Sequence, residues 1–238
     1  MALSDGSTES LHCPHLRFSK SRPLADEMYE VLLNQFMEGR RGAGEALNIG
    51  ALSRELGVSQ TPLREALARL EHTGLVTREA LKGYRVASHL SEKDVMKLME
   101  ARLVLEGALT REAAMRTTPE FLEALYQTVL DLDRSVELAD SEPDAFRLYW
   151  ASDGRFHALI AAQSGNPFLE TAYNALGGQI QRFRLFSKLG NSGASYAAEE
   201  HRAIYDALAS HDPDAAASRM GAHISGAKTR RHQSNSHE

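Results

Sequence analysis

The stretch from Asn48 to Leu75 constrains the fold more than any other part of this 238-residue chain. Asn48 is a good cap for a short helix bearing Ala51, Leu52 and Leu56, which Gly57 ends. Val58 and Ser59 make a tight turn, and Ser59 is placed to cap the next helix. Pro62 falls in that helix's first turn, where its missing N–H costs little. Leu63, Ala66, Leu67 and Leu70 form its buried stripe, and Gly74 terminates it. Two short helices joined by a glycine-containing turn predict a helix-turn-helix. An amphipathic helix precedes it, with Leu24, Met28, Val31, Leu32 and Gln35/Phe36 on one face, stopped by the Gly39–Gly44 loop. Leu75-Val76-Thr77 and Tyr84-Arg85-Val86 follow as two strands around Lys82-Gly83, a hairpin or wing.

Beyond Leu90 the pattern becomes helical throughout. Ser91 to Asp94 reads as a capping box. Thr118-Pro119, Asn166-Pro167 and Asp212-Pro213 each put proline directly after a cap residue. Ser141-Glu142-Pro143-Asp144 marks another start, and Gly190-Asn191-Ser192-Gly193 reads as a linker before a further helix. Short connections between six such helices imply an antiparallel bundle. The expected fold is therefore mainly α: an N-terminal winged helix-turn-helix with a small β wing (residues 21–88), then an antiparallel six-helix bundle (91–229). Residues 1–20 and 230–238 are expected to be tails, the polar stretch from Lys228 fraying.

The formal net charge is −5, but the excess acid is not evenly spread. Arg22 to Leu90 carries nine basic and nine acidic residues, whereas Ser91 onward carries sixteen against twenty-one. Phosphate recognition acts at contact range, so a local basic face suffices and a nucleic-acid partner is not excluded. No apolar run approaches the roughly 18–20 residues that span a bilayer, so no membrane partner is expected. The N-terminus lacks a basic start followed by an apolar stretch, and the single cysteine, Cys13, has no internal partner. A reducing, cytoplasmic setting fits.

The run Leu56-Gly57-Val58-Ser59-Gln60-Thr61-Pro62-Leu63-Arg64-Glu65-Ala66-Leu67, continued by Leu70-Glu71 and Gly74-Leu75-Val76, resembles the winged helix-turn-helix of GntR-superfamily regulators, from about Leu24 to Ala87. The second helix of such a motif puts its N-terminal residues into the major groove of DNA. Arg64 can grip guanine or a phosphate, and Gln60 has the geometry for adenine. Ser59 and Thr61 can contact phosphates with help from the helix N-terminus. In the wing, Gly83 lets the backbone approach the minor groove, flanked by Lys82 and Arg85. The sequence departs from the family at Gln60, where arginine is usual, and at Ala43, where proline is usual. The first departure prevents an operator sequence from being carried over.

Four polar residues interrupt apolar stripes in the helical part. Asp153 and His157 share a face with Phe146, Tyr149/Trp150, Phe156 and Ile160, one turn apart. His201 precedes Ile204, Tyr205 and Leu208 at helical spacing, and His223 continues the stripe of Ala216, Met220 and Ala227. One buried histidine is ordinarily a hydrogen-bonded core residue. An aspartate and three histidines aimed inward from three helices make a credible set of ligands for Zn²⁺, Ni²⁺ or Mn²⁺, with imidazole favouring the first two. Asp153-Gly154-Arg155-Phe156-His157, Ser164-Gly165-Asn166-Pro167, Glu200-His201-Arg202-Ala203-Ile204 and His223-Ile224 resemble the FCD (FadR C-terminal) ligand-binding domain of the same superfamily, over essentially Ser91 to Thr229. Its metal-binding members use an aspartate, the histidine four residues later and two further histidines, all matched here. Arg102 lies within the stripe of Val95, Leu98, Leu105 and Leu109, so it needs a carboxylate. Glu106, one turn on, is one source; an effector acid near the metal is the other, which the resemblance favours. Arg184, on the face of Tyr173 and Ile180, is a second effector candidate or a solvated helix edge.

Together these imply a ligand-responsive transcriptional regulator, a repressor by expectation. A homodimer would bind a pseudo-palindromic double-stranded operator, and a small carboxylate would be its effector. One alternative is a metal sensor in which the ion is the signal. The other is a metal-dependent hydrolase, disfavoured because no HExxH-like arrangement supplies a general base near the metal, so no enzyme activity is expected.

Overall fold

The computed structural model describes residues 23–138, 143–186 and 190–235. The expected tail of residues 1–20 with Cys13, and the Ser141-Glu142 helix start, lie outside them. In the N-terminal part, α1 (Leu24–Met37) is followed by β1 (Ala46–Leu47), α2 (Ile49–Leu56), α3 (Gln60–His72), β2 (Val76–Glu79) and β3 (Gly83–Val86). The Asn48 side chain accepts from Ala51 N–H, satisfying one of the donors left open at the start of α2. Gly57 follows in the left-handed conformation at φ 67°, which turns the chain toward α3. Ser59 stands at the start of α3 in an extended conformation but makes no side-chain cap bond, contrary to the sequence reading. Leu32, Leu52, Leu63, Leu67, Leu70 and Val86 close one apolar core under these helices.

The wing is a three-stranded antiparallel sheet in the order β1-β3-β2. The hairpin was legible, with Thr77 opposite Arg85; β1, pairing Leu47 with Tyr84, was not. Leu81 and Gly83 both take positive φ at the hairpin tip, which leaves Leu81 fully exposed.

The C-terminal part holds α4 (Glu92–Ala114), α5 (Pro119–Glu137), α6 (Pro143–Gln163), α7 (Pro167–Phe186), α8 (Gly190–Ala209) and α9 (Pro213–Asn235). Ser91 accepts from Asp94 N–H and Thr118 from Phe121 N–H. Asn166 and Asp212 likewise accept from the first turns of α7 and α9. α4 lies along α9, α5 fits between α6 and α8, and α8 also packs on α9. A second core fills the bundle, including Met99, Leu109, Phe156, Ile160, Ile204 and Met220.

Two sequence expectations fail here. Gly190 to Gly193 belong to α8 rather than to a linker, and α9 runs on through Asn235 instead of fraying from Lys228. The second has a physical reason: Arg230, expected in a tail, is tied back to Glu200 of α8 at 2.8 and 3.0 Å.

Candidate functional site

The face of α3 that the sequence offered to DNA is open. Ser59, Gln60, Thr61 and Arg64 are all exposed, while Leu63, Ala66 and Leu67 hold the opposite face in the core. Arg64 Nη2 donates to Gln60 Oε1 at 3.2 Å, so the two candidate base readers lie side by side. Lys82 and Gly83 are exposed at the wing tip. Arg85 is less available: it is half-buried, donates to the Gly44 carbonyl and faces Glu79 at 3.4 Å. Arg78, which the sequence reading passed over, is exposed on β2 beside the same tip.

The four expected metal ligands come together. Asp153 and His157 project from α6, His201 from α8 and His223 from α9, and one ligand atom from each lies within 4.8 Å of the others. All are at most 4% exposed. Asp153 Oδ1 is 3.4 Å from His201 Nε2 and 3.8 Å from His157 Nε2. His201 is 0% exposed, and Phe156 stacks on its ring at 3.9 Å between centroids. Neither of its nitrogens has a hydrogen-bond partner among the described residues, nor does His157 Nε2. Buried imidazole nitrogens without partners are costly unless something binds them, and a divalent cation is the simplest fit to neutral imidazoles around a carboxylate.

A second ring of charges surrounds these four side chains. Glu106 Oε2 contacts His157 Nδ1 at 2.5 Å, and Glu106 Oε1 accepts from Arg102 Nε at 2.5 Å. Glu200 Oε2 lies 2.8 Å from His223 Nδ1. Asp153 Oδ2 pairs with Arg184 Nε, leaving Oδ1 toward the histidines. Carboxylates on the Nδ1 side of two histidines leave their Nε2 atoms for an ion. Arg102 therefore meets the internal partner, Glu106; its guanidinium still lines the chamber beside Asp153, Arg184 and His223. Glu200 escaped the sequence reading because a neighbour of His201 points away from it; it reaches His223 of the adjacent helix instead.

Burial and charge set the protonation states. Burial pushes the Asp153 carboxyl up, but opposing positive charge, that of the Arg184 guanidinium foremost, more than offsets this and holds it well below the usual carboxylate range. Burial drives His157 down from 6.5 to about 4 against the upward pull of Glu106, and drives His201 well below its ordinary value. An ionised carboxylate among neutral imidazoles is the state that a cation binds. In the metal-free chain, a folded-state pKa depressed below the unfolded one gives stability present above pH 6.5 and lost as pH falls through about 4. Thermal melts of the metal-stripped chain should therefore drop across that window. A flat profile there contradicts neutral, buried histidines.

Two family models match the chain. Residues 24–86 match bacterial regulatory proteins of the gntR family, and residues 97–226 match the FCD domain. A probable D-xylose utilization operon transcriptional repressor from Paenarthrobacter nicotinovorans is 28% identical over 203 residues, covering 84% of this chain and 85% of its own length. The solved structure of McbR/YncC from E. coli superposes with a TM-score of 0.68 at 20% identity, over 90% of this chain and 99% of that one. The metal-free FCD domain of TM0439 gives a TM-score of 0.50 at 18% identity, over 63% and 100%. These structures share the fold. With a winged helix-turn-helix followed by a helical bundle, each matched by its own family model, the chain belongs to the gntR family of bacterial regulatory proteins and is a transcriptional regulator with a C-terminal FCD domain.

Proposed function

We propose that this regulator is a repressor whose FCD domain holds a divalent metal ion, Zn²⁺ or Ni²⁺ by ligand type with Mn²⁺ as a third candidate, and responds to a small carboxylate. The observation that carries the metal is the buried set of Asp153, His157, His201 and His223, with partnerless Nε2 atoms on His157 and His201. When bound, the ion supplies a Lewis-acidic centre for an acid's oxygens. Arg102 and Arg184 line the same chamber and supply cationic donors for the acid's carboxylate. The name of the Paenarthrobacter relative supports repression.

On the DNA side, Ser59, Gln60, Thr61 and Arg64 would read the major groove, with Lys82, Gly83 and Arg85 at the minor groove. The chain would bind as a homodimer on a pseudo-palindrome, so that two α3 helices meet half-sites a helical turn or a multiple apart. Arg64→Ala should weaken operator binding by about 1–3 kcal/mol and relax specificity at one base, whereas Lys82→Ala should weaken all sequences alike and lower the salt slope by about 1. Salt-titrated binding isotherms distinguish them; identical behaviour of the two variants contradicts the assignment.

The function itself is tested by operator binding with and without small carboxylates on metal-loaded protein. Weakened binding with one of the acids supports the reading, and indifference to every acid overturns the effector. If chelation alone switches operator binding, the ion is the signal and the carboxylate is not needed.

A further inference from the structure

We infer that α7 carries the state of the metal centre to the end of the recognition helix α3. This rests on the metal reading above and names how that site is read out.

At one point α7 holds Arg184 on Asp153, the carboxylate of the ligand set. Six residues earlier, about 9 Å along the helix axis, it presses Gly178 against Thr73 and Gly74, which end α3. That contact is backbone on backbone. A Cβ at Gly178 would lie 3.0 Å from Gly74 Cα and 3.1 Å from the Thr73 carbonyl oxygen. A Cβ at Gly74 would lie only 2.7 Å from Gly178 Cα. With no side chains between them to rearrange, a displacement of α7 reaches α3 undamped.

Neighbouring residues reinforce the joint. Arg182 donates to the carbonyls of Ser88 and His89, the segment that leads from β3 into α4. Leu185 of α7 and Trp150 of α6 pack against the core of the N-terminal part. Trp150 stands one turn before Asp153, so each helix of the Asp153–Arg184 pair also touches that core.

The site has reason to move α7. Arg184 pairs with Asp153, and a cation held by this set would compete for the carboxylate charge that keeps Arg184 in place. The chamber lined by Arg102, Tyr149, Phe183, Arg184 and His223 has room for little more than a water-sized guest. An organic acid must therefore displace its walls, and Phe183 and Arg184 belong to α7. Helix shifts of about 1–2 Å at interfaces suffice for such switches.

The test uses the full chain with Zn²⁺ alone as probe, reading metal affinity by chelator competition and hydrogen exchange of the amides of Leu70 to Val76. In the unmutated chain, Zn²⁺ should change exchange there by roughly fivefold or more. Arg184→Gln, which takes the guanidinium away from Asp153, should lose that response, its Zn²⁺ affinity being measured alongside. Gly178→Leu lies outside the metal site, so its Zn²⁺ affinity should stay within about twofold while the response disappears; circular dichroism verifies that both variants are folded. If Zn²⁺ binds the unmutated chain and exchange at Leu70 to Val76 is unchanged, or if Gly178→Leu responds as the unmutated chain does, the inference is overturned. If Zn²⁺ does not bind the unmutated chain at all, the metal reading falls first and takes the inference with it.

Discussion

Zn²⁺ should stabilise this regulator, and alanine at His223 should erase that gain. An ion at a hundredfold excess over its dissociation constant stabilises the folded state by about 2.7 kcal/mol, or roughly 5–10 °C in melting temperature for a chain of this size. His223 brings α9 to ligands that α6 and α8 supply, so its loss removes one of three helices from the site. Without metal the substitution should be mild, because Glu200 keeps Arg230 as a partner at 2.8 and 3.0 Å. The signature is thus a near-normal melt without Zn²⁺ and little or no shift with it. A variant that still gains the full shift excludes His223 from the ligand set.

Glu106→Ala should be the most damaging single change in the bundle. It removes the carboxylate on Arg102 when both side chains are only 3% exposed, leaving a guanidinium buried without its anion. Such broken buried pairs cost about 3–5 kcal/mol. The variant also deprives His157 Nδ1 of its 2.5 Å contact, so metal affinity should fall about 10–100-fold in what remains folded. Replacing both partners, as Arg102→Met with Glu106→Leu, should be much less harmful than the single change, because no unpaired charge is left. Urea unfolding of the single and double variants checks this. A double variant as unstable as Glu106→Ala would mean that packing, not charge, holds this position.

The buried cluster of Asp153, His157, His201 and His223 was legible because each member broke a helical apolar stripe, and a period of 3.6 residues told which way it faced. The helix starts were legible for a similar local reason: Asn48, Ser91, Thr118, Asn166 and Asp212 sit where open N–H donors need an oxygen. What escaped depends on contacts between elements. Two residues of β1 are too short to show alternation and exist only because β3 pairs with them. Arg230 looked like part of a polar tail because its reason for being helical, Glu200, lies thirty positions earlier on another helix. The meeting of Gly74 with Gly178 has no local signature, since a glycine that ends a helix and a glycine within one read alike whether or not they touch.

Asp153, His157, His201 and His223 are proposed to hold a divalent ion, and elemental analysis of the purified chain decides the point. The expected result is a single zinc or nickel per chain, removable by chelator with a fall in melting temperature, and absent from His201→Ala. A chain that purifies without metal, takes up none on dialysis against Zn²⁺ or Ni²⁺, and melts identically with and without chelator would contradict it.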